Sequence, residues 1–144
     1  MSQGTFKKME QTDQPLYGPR AALVCGFSAA ERETVMRMLE NIPLKAVSVV
    51  FATAADNDRK LSALFALPDR SGRNGEAGPV RAIILAGITE KELHLTLAAY
   101  RETGLARPLW ATLTPFSENW TLADLIAELE KERAAMENRK GPGA

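Results

Sequence analysis

The stretch Ala21-Ala22-Leu23-Val24-Cys25-Gly26-Phe27-Ser28-Ala29-Ala30-Glu31 decides the fold class. Five apolar residues without alternation suit a strand covered on both faces. Gly26 breaks the run, and Ser28-x-x-Glu31 is a capping box. The Ser28 hydroxyl can accept from the amide of residue 31 while the Glu31 carboxylate reaches back to residue 28. Val35, Met36, Leu39 and Ile42 then recur at helical spacing, and Pro43 ends the helix. A covered strand that runs straight into a capped helix is the opening of a βα unit.

Outward from this stretch, Ala46 to Ala52 is a second strand rich in β-branched residues. Asp56 or Asn57 is expected to cap a shorter helix with the apolar stripe Leu61, Leu64 and Phe65. Residues 68–79, with three Gly, two Pro and no large apolar side chain, predict a flexible surface connection. The pattern then restarts. Ala82 to Ala86 is a strand, Gly87 breaks it, and Thr89-x-x-Glu92 is a second capping box. Leu93, Leu97 and Tyr100 form a helical stripe closed by Gly104. Leu109 to Leu113 is a fourth strand, Thr114 to Trp120 a loop, and Thr121 caps a last helix with Leu122, Leu125, Ile126 and Leu129 facing the core. Beyond Leu129 the helix is expected to project into solvent and fray.

The two halves superpose at a constant offset of sixty-one positions: Gly26 falls on Gly87, Ser28 on Thr89, Glu31 on Glu92, Leu61 on Leu122. The shared strand-Gly-apolar-[Ser/Thr]-x-x-Glu junction reads as an internal structural repeat. Alternating strands and helices predict an α/β fold, a three-layer Rossmann- or flavodoxin-like sheet of four mostly parallel strands in the order 2-1-3-4. Two βαβα halves, 21–67 and 80–136, form one domain between a flexible tail, 1–20, and a disordered end, 137–144. Such a sheet is expected to set the Gly26 and Gly87 junctions side by side at the point where strand order reverses, the usual ligand crevice.

Composition narrows the chemistry. The chain has 144 residues, 45% hydrophobic, with eighteen basic residues against eighteen acidic ones. Phosphate neutralisation requires a basic excess, so a nucleic-acid partner is not expected. One cysteine excludes an intrachain disulfide and any Cys-clustered zinc site. No apolar run reaches spanning length and the start is not a signal peptide, so the expectation is a cytoplasmic protein without membrane contact.

The candidate binding residues are Gly26, Ser28, Gly87 and Thr89, whose helix N-termini would face an anion, together with Thr114, Asn119 and Trp120 in the loop after the fourth strand. Two helix N-termini supply at most ~4 kcal/mol, and that only when partly buried, comparable to millimolar affinity. Neither junction has a phosphate-loop lysine or a dinucleotide glycine pattern. Cys25 lacks a nearby partner and reads as a core residue, His94 lies beside the apolar stripe, and Asp56/Asp58 read as caps. Receiver-type phosphoacceptor chemistry is absent, since Cys25-Gly26 and Ala86-Gly87 stand where such domains carry acids. No catalytic residue, metal site or cofactor emerges.

Ala111-Thr112-Leu113-Thr114-Pro115, then Asn119-Trp120-Thr121-Leu122 and Leu125-Ile126-x-x-Leu129, resembles a bacterial family known only as domain of unknown function 3783. The resemblance extends back to the Gly87-Ile88 junction, over roughly residues 82–132. It implies a small bacterial α/β protein and carries no established activity or catalytic residue. The expected function is a non-enzymatic binding or regulatory module, taking a small anionic ligand if any. The alternatives are a weak phosphate- or nucleotide-handling enzyme, or an assembly module that forms a homodimer through an edge strand and the charged last helix.

Overall fold

The helices begin where their capping chemistry puts them. The computed structural model describes residues 14–44 and 46–140. In chain order they form β1 (Ala21–Cys25), α1 (Ala29–Asn41), β2 (Ser48–Ala52), α2 (Leu61–Phe65), β3 (Ala82–Ala86), α3 (Glu90–Glu102), β4 (Leu109–Thr112) and α4 (Leu122–Lys140). Ser28 and Thr89 each accept from the amide three residues on, and Glu31 and Glu92 each bond back, so both capping boxes are complete. Asp124 N–H donates to the Thr121 hydroxyl at the start of α4. Asp56 acts differently from the expected cap of α2. Its carboxylate accepts from the Thr53 amide and closes a 3-10 turn, Ala54–Asp56, while Lys60 precedes α2 without a side-chain cap.

The sheet is open, with order β2-β1-β3-β4. β1 pairs with β2 in parallel and β3 with β4 in parallel, but the central pair β1–β3 is antiparallel. β1 and β3 are buried along their whole length, as an apolar run without alternation requires. Odd-numbered β1 residues and even-numbered β3 residues (Leu23, Ile84) pack with α2 and α4, through Leu61, Leu64, Leu122 and Leu125. The opposite parity (Val24, Ile83) packs with α1 and α3, through Val35, Met36 and Tyr100. Equivalent elements of the two halves start sixty-one residues apart throughout, and Leu23 faces Ile84 at the middle of the central pair.

The antiparallel centre corrects one expectation. In the register Ala21↔Ala86 and Cys25↔Ala82, Gly26 and Gly87 lie beyond opposite ends of five-residue strands, roughly 20 Å apart. They do not share a crevice. An apolar run covered on both faces looks the same in either direction, so the sequence pattern does not carry the polarity of this pair.

The segments read as flexible also take definite positions. Leu16 N–H donates to Ile88 O and Gly87 N–H to Tyr17 O, so the chain from Pro15 onward lies against the β3–α3 junction. Residues 1–13 of the expected tail lie outside those described. The 68–79 connection straps the outer edge of β2: Phe51 N–H donates to Ser71 O, Arg70 N–H to Val49 O, and Ala54 N–H to Glu76 O. The buried Arg32 side chain clamps it from α1, with Nη1 2.7 Å from Arg73 O and 2.8 Å from Gly75 O, and its guanidinium over the Phe51 ring. At the far end α4 runs on to Lys140; residues 141–144 lie outside those described.

The Gly26 turn is tight. With φ +76°, a Cβ there would stand 2.2 Å from Val80 O, whereas one at Gly104 (φ +75°) would meet nothing within 4 Å. Gly104→Ala should therefore cost only the left-handed penalty of about 1 kcal/mol, and Gly26→Ala about 3 kcal/mol or more, since backbone must also move. Paired urea melts check this, and equal losses would contradict the close approach.

Candidate functional site

The capping carboxylates do more than finish their own helices. Arg81, the residue before β3, reaches Glu31 Oε2 at 2.9 Å, and Arg20, the residue before β1, reaches Glu92 Oε2 at 2.8 Å. Each half thus supplies an arginine to the other half's capping box. Because β1 and β3 are antiparallel, the start of one strand sits beside the end of the other, so this exchange follows from the topology. At both helix N-termini a carboxylate occupies the position where an external anion would bind. Glu31 Oε1 accepts from Ser28 N–H at 2.9 Å and Glu92 Oε1 from Thr89 N–H at 2.8 Å.

The two junctions border cavities of different size. At the carboxyl ends of β1 and β2, a cleft of about 150 Å³ is lined by Cys25, Gly26, Thr53, Asn57, Val80 and Leu122. Small-molecule pockets usually measure ~300–1,000 Å³, so this one is small. At the other end a groove of about 730 Å³ passes Gly87 and Thr89 between Pro43 and Leu95, but its Arg20 is engaged by Glu92, Gly87 O and Ala46 O. Cys25 is a core residue, and burial pushes its thiol up to about 12. His94 is exposed on α3. Among the described residues no group of three His, Cys, Asp or Glu could hold a metal ion, and no helix is long and apolar enough to cross a membrane.

The loop after β4 is built around a tight turn in which Thr114 N–H donates to Ser117 Oγ and Ser117 N–H to Thr114 Oγ1. Thr114 is therefore a structural residue of the turn. The same turn holds Phe116 85% exposed. Asn119 and Trp120 carry the chain on to α4, where Trp120 O accepts from Leu61 N–H, and the Trp120 side chain stays 39% exposed. The sequence-derived site residues thus divide into two separate junctions and one loop.

Sequence reasoning raised pairing through an edge strand without saying which one; the outer edge of β4 is the one to consider. Leu109 N–H donates to Arg81 O and Leu113 N–H to Leu85 O, so by the alternation of a parallel ladder Trp110 and Thr112 direct their backbone N–H and C=O outward. Among the described residues no backbone group pairs with them. Grooves flank this edge on both sides, the first largely apolar and the second ringed by charges of both signs. One, of about 650 Å³, is lined by Leu97, Tyr100, Leu105, Arg107 and Trp110; the other, of about 450 Å³, lies between Trp110 and Leu129, Arg133 and Met136 of α4. Trp110 stacks edge-on against Tyr100 at 5.4 Å. Arg133 Nη2 donates to Pro108 O at 3.2 Å, which sets the protruding end of α4 beside the strand. The sixty-one offset held a clue, because the stretch equivalent to the β2 strap falls within the last helical run.

Residues 81–136 match the family model Domain of unknown function (DUF3783), a span that takes in β3, α3, β4 and most of α4. No curated protein and no solved structure matches the chain.

Two outcomes follow from this geometry. Cys25 should resist thiol reagents at neutral pH until the protein is unfolded; stoichiometric labelling of the native chain would contradict its burial. The Ser28 amide, with Arg81 assisting, holds the Glu31 carboxyl below its ordinary value of 4.5. A depressed folded-state value adds stability that is complete above that ordinary value and is lost as pH falls through the folded one. The urea midpoint of wild type minus that of Glu31→Gln should accordingly be largest at neutral pH and shrink on acidification below 4.5.

Proposed function

We propose that this chain is a non-enzymatic interaction module, made from two copies of one βαβα unit, whose working surface is the open edge of β4. The observation that carries this reading is the difference between the two ends of the sheet. The β2 edge is strapped by residues 68–79, whereas Trp110 and Thr112 on the equivalent β4 edge offer backbone groups that no described residue pairs, between a largely apolar groove and one that adds charges of both signs. Natural sheets cover, charge or interrupt an edge that is not used for pairing. A strand with outward-facing N–H and C=O groups beside an apolar cleft is the arrangement that recognises another strand.

The matching spacing of all eight elements, the two complete capping boxes and the reciprocal Arg20–Glu92 and Arg81–Glu31 pairs support a doubled unit. We also read the two core clusters as the two interfaces of a three-layer α/β packing. The carboxylates already seated at both helix N-termini count against an anion-handling role.

Amide hydrogen exchange tests the reading. In dilute solution the Trp110 and Thr112 amides should exchange at the rate of an open edge while Ala111 and Leu113 remain protected. Slow exchange of all four in the isolated chain would overturn it. A thermal-shift screen against nucleotides and phosphorylated metabolites should show no stabilisation. A shift abolished by Ser28→Ala or Thr89→Ala would restore the anion-site reading.

A further inference from the structure

We infer that the strand received by the β4 edge is β4 of a second copy of this chain, paired antiparallel about a two-fold axis at Ala111. The inference rests on the reading of β4 as the working edge and adds the identity of its occupant. Because Trp110 and Thr112 are the outward-facing residues, two-fold pairing that sets Trp110 opposite Thr112 of the other copy satisfies all the free backbone groups of both strands at once. An isologous contact of this kind closes on itself.

Three features of the surface suit a second copy. The first is Phe116, whose side chain is 85% exposed although an ordered turn carries it. Phe116 lies on the turn just past the end of β4, and antiparallel pairing runs that end of the strand toward the start of the partner's β4, beside which lies the groove lined by Tyr100, Leu105, Arg107 and Trp110. Each copy therefore brings one unburied aromatic ring to the part of its partner that has an unfilled apolar groove, and the two-fold makes this exchange twice.

The second feature is the charge of the protruding helix. Arg107, Glu132, Arg133 and Glu137 alternate in sign around the second groove. A patch carrying both signs can face its own image with unlike charges in contact, whereas a patch of one sign would repel it.

The third is area. A stable pair needs about 800 Å² from each copy, more than a four-residue edge provides. The exposed stretch of α4 beyond Leu129 and the two grooves supply additional surface beside the strand. The central β1–β3 pair already joins the two halves of the chain by antiparallel strand pairing, so the proposed contact repeats a geometry the fold uses internally.

Sedimentation equilibrium of the full chain from low to high micromolar concentration is the test, with a mass of twice 15.7 kDa expected at the upper end. Thr112→Pro removes an outward N–H and leaves the β3–β4 ladder intact, since an edge position facing solvent tolerates proline. Phe116→Ser changes a side chain that the monomer does not bury. Each should raise the dissociation constant at least about tenfold, with Phe116→Ser leaving the monomer's circular dichroism and melting unchanged. A dimer indifferent to Phe116→Ser and Thr112→Pro would overturn the inference by placing the contact elsewhere. A strict monomer would also overturn it, and amide exchange then separates the two claims. Fast exchange at Trp110 and Thr112 in that monomer keeps the edge as an interaction surface for another partner, and slow exchange removes both.

Discussion

The antiparallel pairing of β1 with β3 is the constraint on which the rest of this molecule depends. Both strands are buried throughout, so their backbone groups can be satisfied only by neighbouring strands, and each has one of its own half and one of the other. Direction then dictates everything at the sheet ends. Because the start of each strand lies beside the end of the other, Arg20 meets the β3–α3 junction and Arg81 meets the β1–α1 junction. A parallel centre would have put both glycine turns together and left the two arginines without these partners.

The two ion pairs are partly buried and hydrogen-bonded at both ends, so each couples one half's strand entry to the other half's helix start. The same arrangement seats a carboxylate on the N-cap amide of each of these two helices. A side-chain carboxylate tethered three residues away competes at a very high effective concentration, and the arginine behind it removes the remaining gain for a free anion. Arg81 also lies over the Phe27 ring at 4.7 Å, which fixes the guanidinium from its other face.

Much of this architecture is legible in the residues. The capping boxes at Ser28 and Thr89 and the covered strands follow from local periodicity and turn chemistry, which act over three or four residues; the strand order 2-1-3-4 is an assumption added to them, and the sheet adopts it. What local pattern does not carry is direction, because Ala21–Cys25 reads as the same apolar run from either end. The contacts of the 68–79 stretch are hidden for a related reason, since nothing local shows that at Gly72, with φ +77°, the chain passes so near Phe51 O that a Cβ would not fit. Arg32, which holds that stretch, stands within an ordinary helical pattern and gives no local sign of its buried role. The open edge of β4 is likewise invisible locally, since being unpaired is a property of what is missing from the neighbourhood.

The strap across β2 has a consequence for how many chains can associate. A sheet with two receptive edges grows without limit, since every added copy presents a fresh one. Here one edge is sealed by the chain's own backbone and by the Arg32 clamp, so strand pairing at the other edge consumes the last vacancy. The twelve residues that separate the two halves thus seal one end of the sheet, so pairing through the β4 edge alone would close after one partner.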